Sequence, residues 1–265
     1  MAKKHRIDQS LVSVGLANDL DEANRLVMAG KVQYLGQLVF QSSQQISNPE
    51  GITLLPEQKF VSRGGEKLQA AFDQFPIDIN GKVCADIGAS SGGFTDCLLQ
   101  HGAERVYAID VGYGILEWKL RNNPKVEVLE RTNARNLEKL PQTIDFITAD
   151  VSFISLKKIL TPASGWFSKS GGQAVVLIKP QFEADREESA RGAGVILDPA
   201  IHQRILMDIL EFAAAHGFAP AGLIRSPLRG PAGNVEFLAW LNYPAESGGV
   251  DQISELVTSL FYKRF

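Results

Sequence analysis

The chain reads as a doubly wound α/β protein, a mostly parallel sheet with one antiparallel strand, preceded by a small α+β domain. Three observations carry that reading. From residue 83 onward, short apolar runs alternate with amphipathic segments, the pattern of strands joined by crossover helices. The run at 83–87 ends in a glycine-rich turn that leads into a helix start. Asp86, Asp110, Asp150 and Lys179 each fall at the C-terminal end of an apolar run, and ligands of such sheets sit at those ends. All four are therefore expected on one crevice.

Composition bounds the function classes. The 265 residues are 45% hydrophobic and 22% charged with a net charge of −3, so the chain can build a real core and has no global nucleic-acid signature. RNA binding, if present, must come from local basic patches. The two cysteines, Cys84 and Cys97, form no metal-ligand pattern and read as buried thiols of a reducing compartment. No metal site is expected. The basic start leads into an amphipathic helix rather than a signal peptide, and no apolar run reaches the roughly 18 residues of a membrane span. A cytoplasmic protein without a membrane partner is expected.

The first domain is expected over 1–58. Ile7, Leu11 and Val14 recur at helical spacing up to Gly15. A second helix starts at Asn18 or Asp19, carries Leu20, Ala23, Leu26 and Val27 on one face, and ends at Gly30. Residues 31–34 and 37–40 form a hairpin about Leu35-Gly36, 41–48 an extended polar loop, and 51–55 a last strand. The boundary is expected within 56–59, and the second domain over 59–265. There Ser62 is placed to cap a helix through Leu68, Ala71, Phe72 and Phe75.

Strands follow at 83–87, 105–110, 126–129, 144–149, 173–178, 218–224 and 235–241, with helices at 199–216 and 253–261. The last two strands lack a helix between them, so one of them is antiparallel. Glu236 would then start a strand at the rim where the parallel strands end. The polar run 183–193 is either a solvated loop or a lid that sets Arg186 and Arg191 on phosphates.

The turn after Val83 suits a nucleotide cofactor, since glycines let a ligand approach the backbone and the helix start offers free N–H groups. A dinucleotide fingerprint fails at Ser90, which takes the second glycine position, and a P-loop fails because Phe94-Thr95 follows Gly93. Asp-x-Gly-x-x-x-Gly-Gly resembles motif I of the S-adenosylmethionine (SAM) methyltransferases. Asp110 can accept both ribose hydroxyls of an adenosine. The adenine edge is expected at the 131–135 segment.

The segments Ser62-Arg63-Gly64-Gly65-Glu66-Lys67-Leu68, Asp86 to Asp96, Asp150-Val-Ser-Phe-Ile-Ser-Leu, Ile178-Lys179-Pro180-Gln181-Phe182-Glu183 and Gly233-Asn234-Val-Glu236-Phe237 together resemble the TlyA-type family. These are S4-domain plus FtsJ-like ribosomal RNA 2′-O-methyltransferases, often labelled hemolysins. The resemblance implies a Rossmann-like SAM-dependent methyltransferase domain behind an S4-like RNA-binding domain. It implies a catalytic tetrad on Lys67, Asp150, Lys179 and Glu236, with Lys179 as proton acceptor or hydroxyl-orienting group. It implies SAM held by Asp86, Gly88, Ala89, Ser90, Ser91, Gly92, Gly93, Phe94, Thr95, Asp110, Val111, Asn133, Ala134 and Asp150. It implies cytidine ribose of ribosomal RNA, within ribosomal subunits, as acceptor.

RNA backbone is expected on Lys3, Lys4, Arg6, Arg25, Lys31 and Arg63, with Arg186 and Arg191 added by the lid reading. One departure stands out. In residues 1–60 the cations Lys3, Lys4, Arg6, Arg25, Lys31 and Lys59 are matched one for one by Asp8, Asp19, Asp21, Glu22, Glu50 and Glu57. The second domain is therefore expected to share in binding.

Competing classes are an RNA- or ribosome-binding protein with a silent methyltransferase fold, a membrane-lytic hemolysin, and a nicotinamide dehydrogenase. The complete tetrad and glycine turn argue against the first, the lack of a lytic segment against the second, and Ser90 against the third.

Overall fold

A computed structural model describes residues 4–55, 58–245 and 250–261. The chain divides into two compact units, Met1–Gln58 and Lys59–Phe265.

The first unit contains β1 (His5–Arg6), α1 (Ile7–Ser13), α2 (Leu20–Met28), β2 (Val32–Tyr34), β3 (Gln37–Leu38), β4 (Gln45–Ile46) and β5 (Ile52–Leu54). Asp19 caps α2 by accepting the Glu22 N–H. Leu35 and Gly36, both at positive φ, turn β2 into β3, the geometry a two-residue hairpin needs. Ile7, Leu11, Ala23, Val27, Val32, Ile46 and Ile52 close a small core. The 41–48 segment is not wholly loop. Gln45 and Ile46 pair with Arg6 and His5, and Ile46 is buried beneath the pairing.

The second unit runs α3 (Gly64–Gln74), β6 (Val83–Ile87), α4 (Gly93–Gln100), β7 (Arg105–Ile109), α5 (Trp118–Arg121), β8 (Val126–Leu129), β9 (Phe146–Ala149), α6 (Lys157–Ser164), β10 (Gly172–Ile178), α7 (Pro180–Glu183), α8 (Arg186–Arg191), α9 (Pro199–Ala215), β11 (Ala219–Arg225), β12 (Phe237–Tyr243) and α10 (Val250–Phe261). The sheet order is β11-β12-β10-β9-β6-β7-β8, and β12 lies antiparallel to both its neighbours. The central strands are buried on both faces, as covered parallel sheets require. One face packs on Ile159, Leu206, Ile209 and Leu210, the other on Leu68, Ala71, Phe94 and Leu98.

Two expectations are corrected here. Ser62 does not cap α3: Arg63 holds the cap position and no side chain bonds the helix start. The polar run 183–193 is mostly helix, because Asp185 and Glu188 form a capping box that starts α8. Both cysteines are buried and unpaired, and burial pushes both thiols up. Among the described residues, no helix is long and apolar enough to cross a membrane.

Candidate active site

Strand register builds the site. Ile178 of β10 lies opposite Phe237 of β12, so the residues just beyond the ladder, Lys179 and Glu236, emerge side by side at one rim. Ile87 pairs with Ala149 on one side and with Ile109 on the other. Gly88, Asp150 and Asp110 therefore leave the sheet at that same rim. Gly88 has φ +82°, and a Cβ there would sit 2.5 Å from the Asp150 carbonyl oxygen, so only glycine fits between the strand ends.

The helices complete the rim. A Cβ at Gly93 would come 2.4 Å from Ser62 Oγ and 2.8 Å from the Gly65 nitrogen, so the starts of α3 and α4 touch. The segment entering α3 is tied to α4. Asp96 accepts the Val61 N–H at 2.8 Å, and Gln100 donates to the Lys59 carbonyl at 2.9 Å. This fixes Lys67, one turn into α3, at the start of β12.

Two lysine–carboxylate pairs result. Lys67 Nζ lies 2.6 Å from Glu236 Oε2, with Glu236 1% exposed. Lys179 Nζ lies 2.5 Å from Asp150 Oδ1 and donates to Ser152 Oγ at 3.0 Å. The tetrad residues surround one cavity of about 350 Å³, together with Ser62, Arg63, Gly64, Leu228, Arg229 and Pro231. With each acid paired, Arg63 and Arg229 leave that cavity positive. An acidic chain thus carries a local cationic site.

A second cavity of about 370 Å³ meets the first along Gly88, Ser90, Asp150 and Ser152. Ile87, Ile109, Val111, Ala134, Ile154 and Ile159 give it apolar walls, and Asp110, Thr132 and Asn133 supply polar edges. The Asp110 carboxylate is preset: it accepts Ser90 N–H at 2.8 Å and Gly112 N–H at 2.7 Å, which leaves further lone pairs for the cavity. Apolar walls for a purine and a fixed carboxylate for ribose hydroxyls are the parts a nucleoside needs.

Asp86 is a correction. It does not reach the crevice, because its side chain points with that of Thr148, its register partner, toward α4. There it accepts Thr95 Oγ1 at 2.7 Å and Thr148 Oγ1 at 2.9 Å, fully buried, and desolvation raises its carboxyl to about 6. Thr95 is used in the same bond, and Gly92 packs under Leu116 and Leu120, so neither lines a cavity. Ala89, Ser91, Gly93 and Phe94 line the first cavity, and Val111, Asn133 and Ala134 the second.

The expected RNA contacts divide. Lys3 lies outside the described residues. Lys4 and Arg25 are exposed, Lys31 is half-buried, and Arg6 grips Asp8 at 2.6 Å. Arg63 is exposed at the cavity. Arg186 and Arg191 ride exposed on α8, with Arg191 3.8 Å from Glu187. Among the lining residues not anticipated are Ser62, Ser152 and the Phe153 ring. Phe153 is 91% exposed at φ +62° and packs 5.0 Å from Phe182. Ser62 and the 151–153 segment lie inside the quoted motifs, which was the only available signal. Among the described residues, no cluster of three or more His, Cys, Asp or Glu could hold a metal ion.

A doubly wound sheet with a single antiparallel strand, a glycine lip after β6 and a nucleoside-shaped cavity define a methyltransferase of the α/β class. The chain belongs to the FtsJ-like methyltransferase family, matched over residues 60–243. It is 42% identical to the 16S/23S rRNA (cytidine-2′-O)-methyltransferase TlyA of Mycobacterium tuberculosis, covering 91% of each chain. It is 39% identical to Hemolysin A of Brachyspira hyodysenteriae, over 88% of this chain and 98% of that one. A solved structure from Streptococcus thermophilus, described as a "putative hemolysin", is 38% identical with a TM-score of 0.73, covering 98% of this chain and 96% of that chain.

Proposed function

We propose that this chain methylates the 2′-hydroxyl of a cytidine ribose in ribosomal RNA, using SAM as donor, with residues 1–58 acting as an S4-like RNA-binding domain. The observation that carries the proposal is the pair of lysine–carboxylate contacts around a cationic cavity that opens directly onto a nucleoside-shaped one. The second cavity takes the adenosine, with Asp110 on the ribose and Val111, Ala134 and Ile154 against the base. When bound, SAM supplies an electrophilic methyl group whose sulfonium leaves as a neutral thioether.

The chain's own residues do the rest. Arg63 and Arg229 receive phosphates of the RNA, and the exposed Phe153 ring offers a stacking face to a base. Lys179 orients the acceptor hydroxyl in line with the methyl carbon, and positioning of this kind carries much of the rate. As the oxygen–carbon bond forms, the hydroxyl proton passes into the Lys179–Asp150 pair, whose carboxylate can take it. Lys67 and Glu236 hold the opposite wall of the cavity.

The test is incubation with methyl-labelled SAM and separated ribosomal subunits, followed by mapping of the modified nucleotide. Label on a cytidine 2′-oxygen is expected. SAM binding without any RNA labelling would overturn the proposal in favour of an RNA-binding protein without catalysis.

A further inference from the structure

We infer that Ser152 is a positioning residue for the transfer step, fixing the direction of the Lys179 ammonium, and that Glu183 holds the loop that delivers it. The inference rests on the proposed role of Lys179. Asp150 draws the ammonium close, and Ser152 gives it a second fixed partner. Asp150 Oδ1 is 2.5 Å from Nζ yet accepts no aligned hydrogen bond. The directional bond is the one to Ser152 Oγ at 3.0 Å. The hydroxyl holds one of the three N–H groups, the ammonium is drawn to Asp150, and Lys179 lines the acceptor cavity between them.

Ser152 stands where such a role requires. It lines both cavities, at their junction, and it is exposed there. The 151–156 loop that carries it is tied to the strand end that carries Lys179. Glu183, four residues beyond Lys179, accepts the Leu156 N–H at 2.8 Å, just before α6 begins, and the Ser155 hydroxyl also hydrogen-bonds to it. The Phe153 and Phe182 rings pack between these two contacts. With the Lys179–Ser152 bond, four links thus join segments 152–156 and 179–183.

The experiment measures steady-state and single-turnover methylation of the ribosomal RNA substrate, SAM affinity and melting temperature for Ser152→Ala, Ser152→Thr, Lys179→Ala and the double variant Ser152→Ala/Lys179→Ala. A hydrogen bond to a charged group is worth a rate loss of about tenfold or more. Ser152→Ala is expected to lose that in kcat, with KM for both substrates within about threefold and the melting temperature unchanged. Ser152→Thr, which keeps the hydroxyl, is expected to restore most of the rate. The double variant is expected to be no slower than Lys179→Ala, since Ser152 acts through that lysine. A Ser152→Ala enzyme with wild-type kcat, or one altered only in KM, overturns the inference while Lys179→Ala inactivity leaves the proposed function standing. An active Lys179→Ala enzyme overturns the role of Lys179 and the inference with it.

Discussion

Lys67 and Glu236 are 169 positions apart in the chain and meet at 2.6 Å, with the carboxylate buried and the ammonium at the cavity wall. The contact joins α3 to the start of the antiparallel strand β12. A buried acid is tolerated there because its partner is fixed. Gly230 packs against the other carboxylate oxygen, and a Cβ at that glycine would stand 2.7 Å from Oε1.

Lys67→Met is therefore expected to strand a buried carboxylate and to destabilise the protein by about 3 kcal/mol. Adding Glu236→Gln should recover most of the loss, because no uncompensated charge remains. Urea unfolding of the two single variants and the double variant measures this. Methylation is expected to stay low in all three, so stability and activity separate.

Lys179→Ala removes the group placed on the acceptor hydroxyl. Its methylation rate is expected to fall by about a hundredfold or more, in the range of a lost general acid–base group. Affinity for SAM should stay within about threefold, since the adenosine walls lie elsewhere. Calorimetric SAM titration beside a methylation assay checks both halves. A wild-type rate would remove Lys179 from the mechanism.

Asp110 and Asp86 are expected to behave oppositely. Asp110→Ala takes away the carboxylate facing the second cavity and should weaken SAM binding at least about tenfold, the loss of a charged hydrogen-bond acceptor. Asp86→Asn alters a residue that bonds only Thr95 and Thr148 and should leave SAM affinity nearly unchanged. Equal losses in the two variants would mean that Asp86 reaches the ligand.

Much of this arrangement was legible from residue order. Strand–helix alternation located the sheet, and acids or lysine at strand ends located the rim. Asp86 was misplaced because position along a strand was used without its facing. It precedes the last strand residue and shares a face with Thr148, where α4 covers it. The two-residue strand at Gln45–Ile46 lies in a polar run, and only Ile46 buries a side chain. Helix α8 was hidden because its capping box sits in a charged stretch with no apolar period. Ser152 escaped because a hydroxyl's partner, here a lysine 27 positions on, is set by strand register rather than by spacing.

The buried Asp86 carboxyl also predicts a pH dependence of stability. Its folded-state value is raised from 3.8 to about 6, chiefly by desolvation, while the two threonine hydroxyls oppose the shift. A raised value means that the folded state holds the proton more tightly than the unfolded state. The stabilisation is complete below about pH 4 and is lost as the pH rises through about 6. Asp86→Asn, which cannot ionise and can still bond both threonines, should lack this dependence. The stability of the wild type relative to Asp86→Asn is expected to fall by about 2–3 kcal/mol between pH 4 and pH 7. Urea midpoints of both proteins across that range measure the difference, and a constant gap would show that Asp86 ionises with an ordinary carboxylate value.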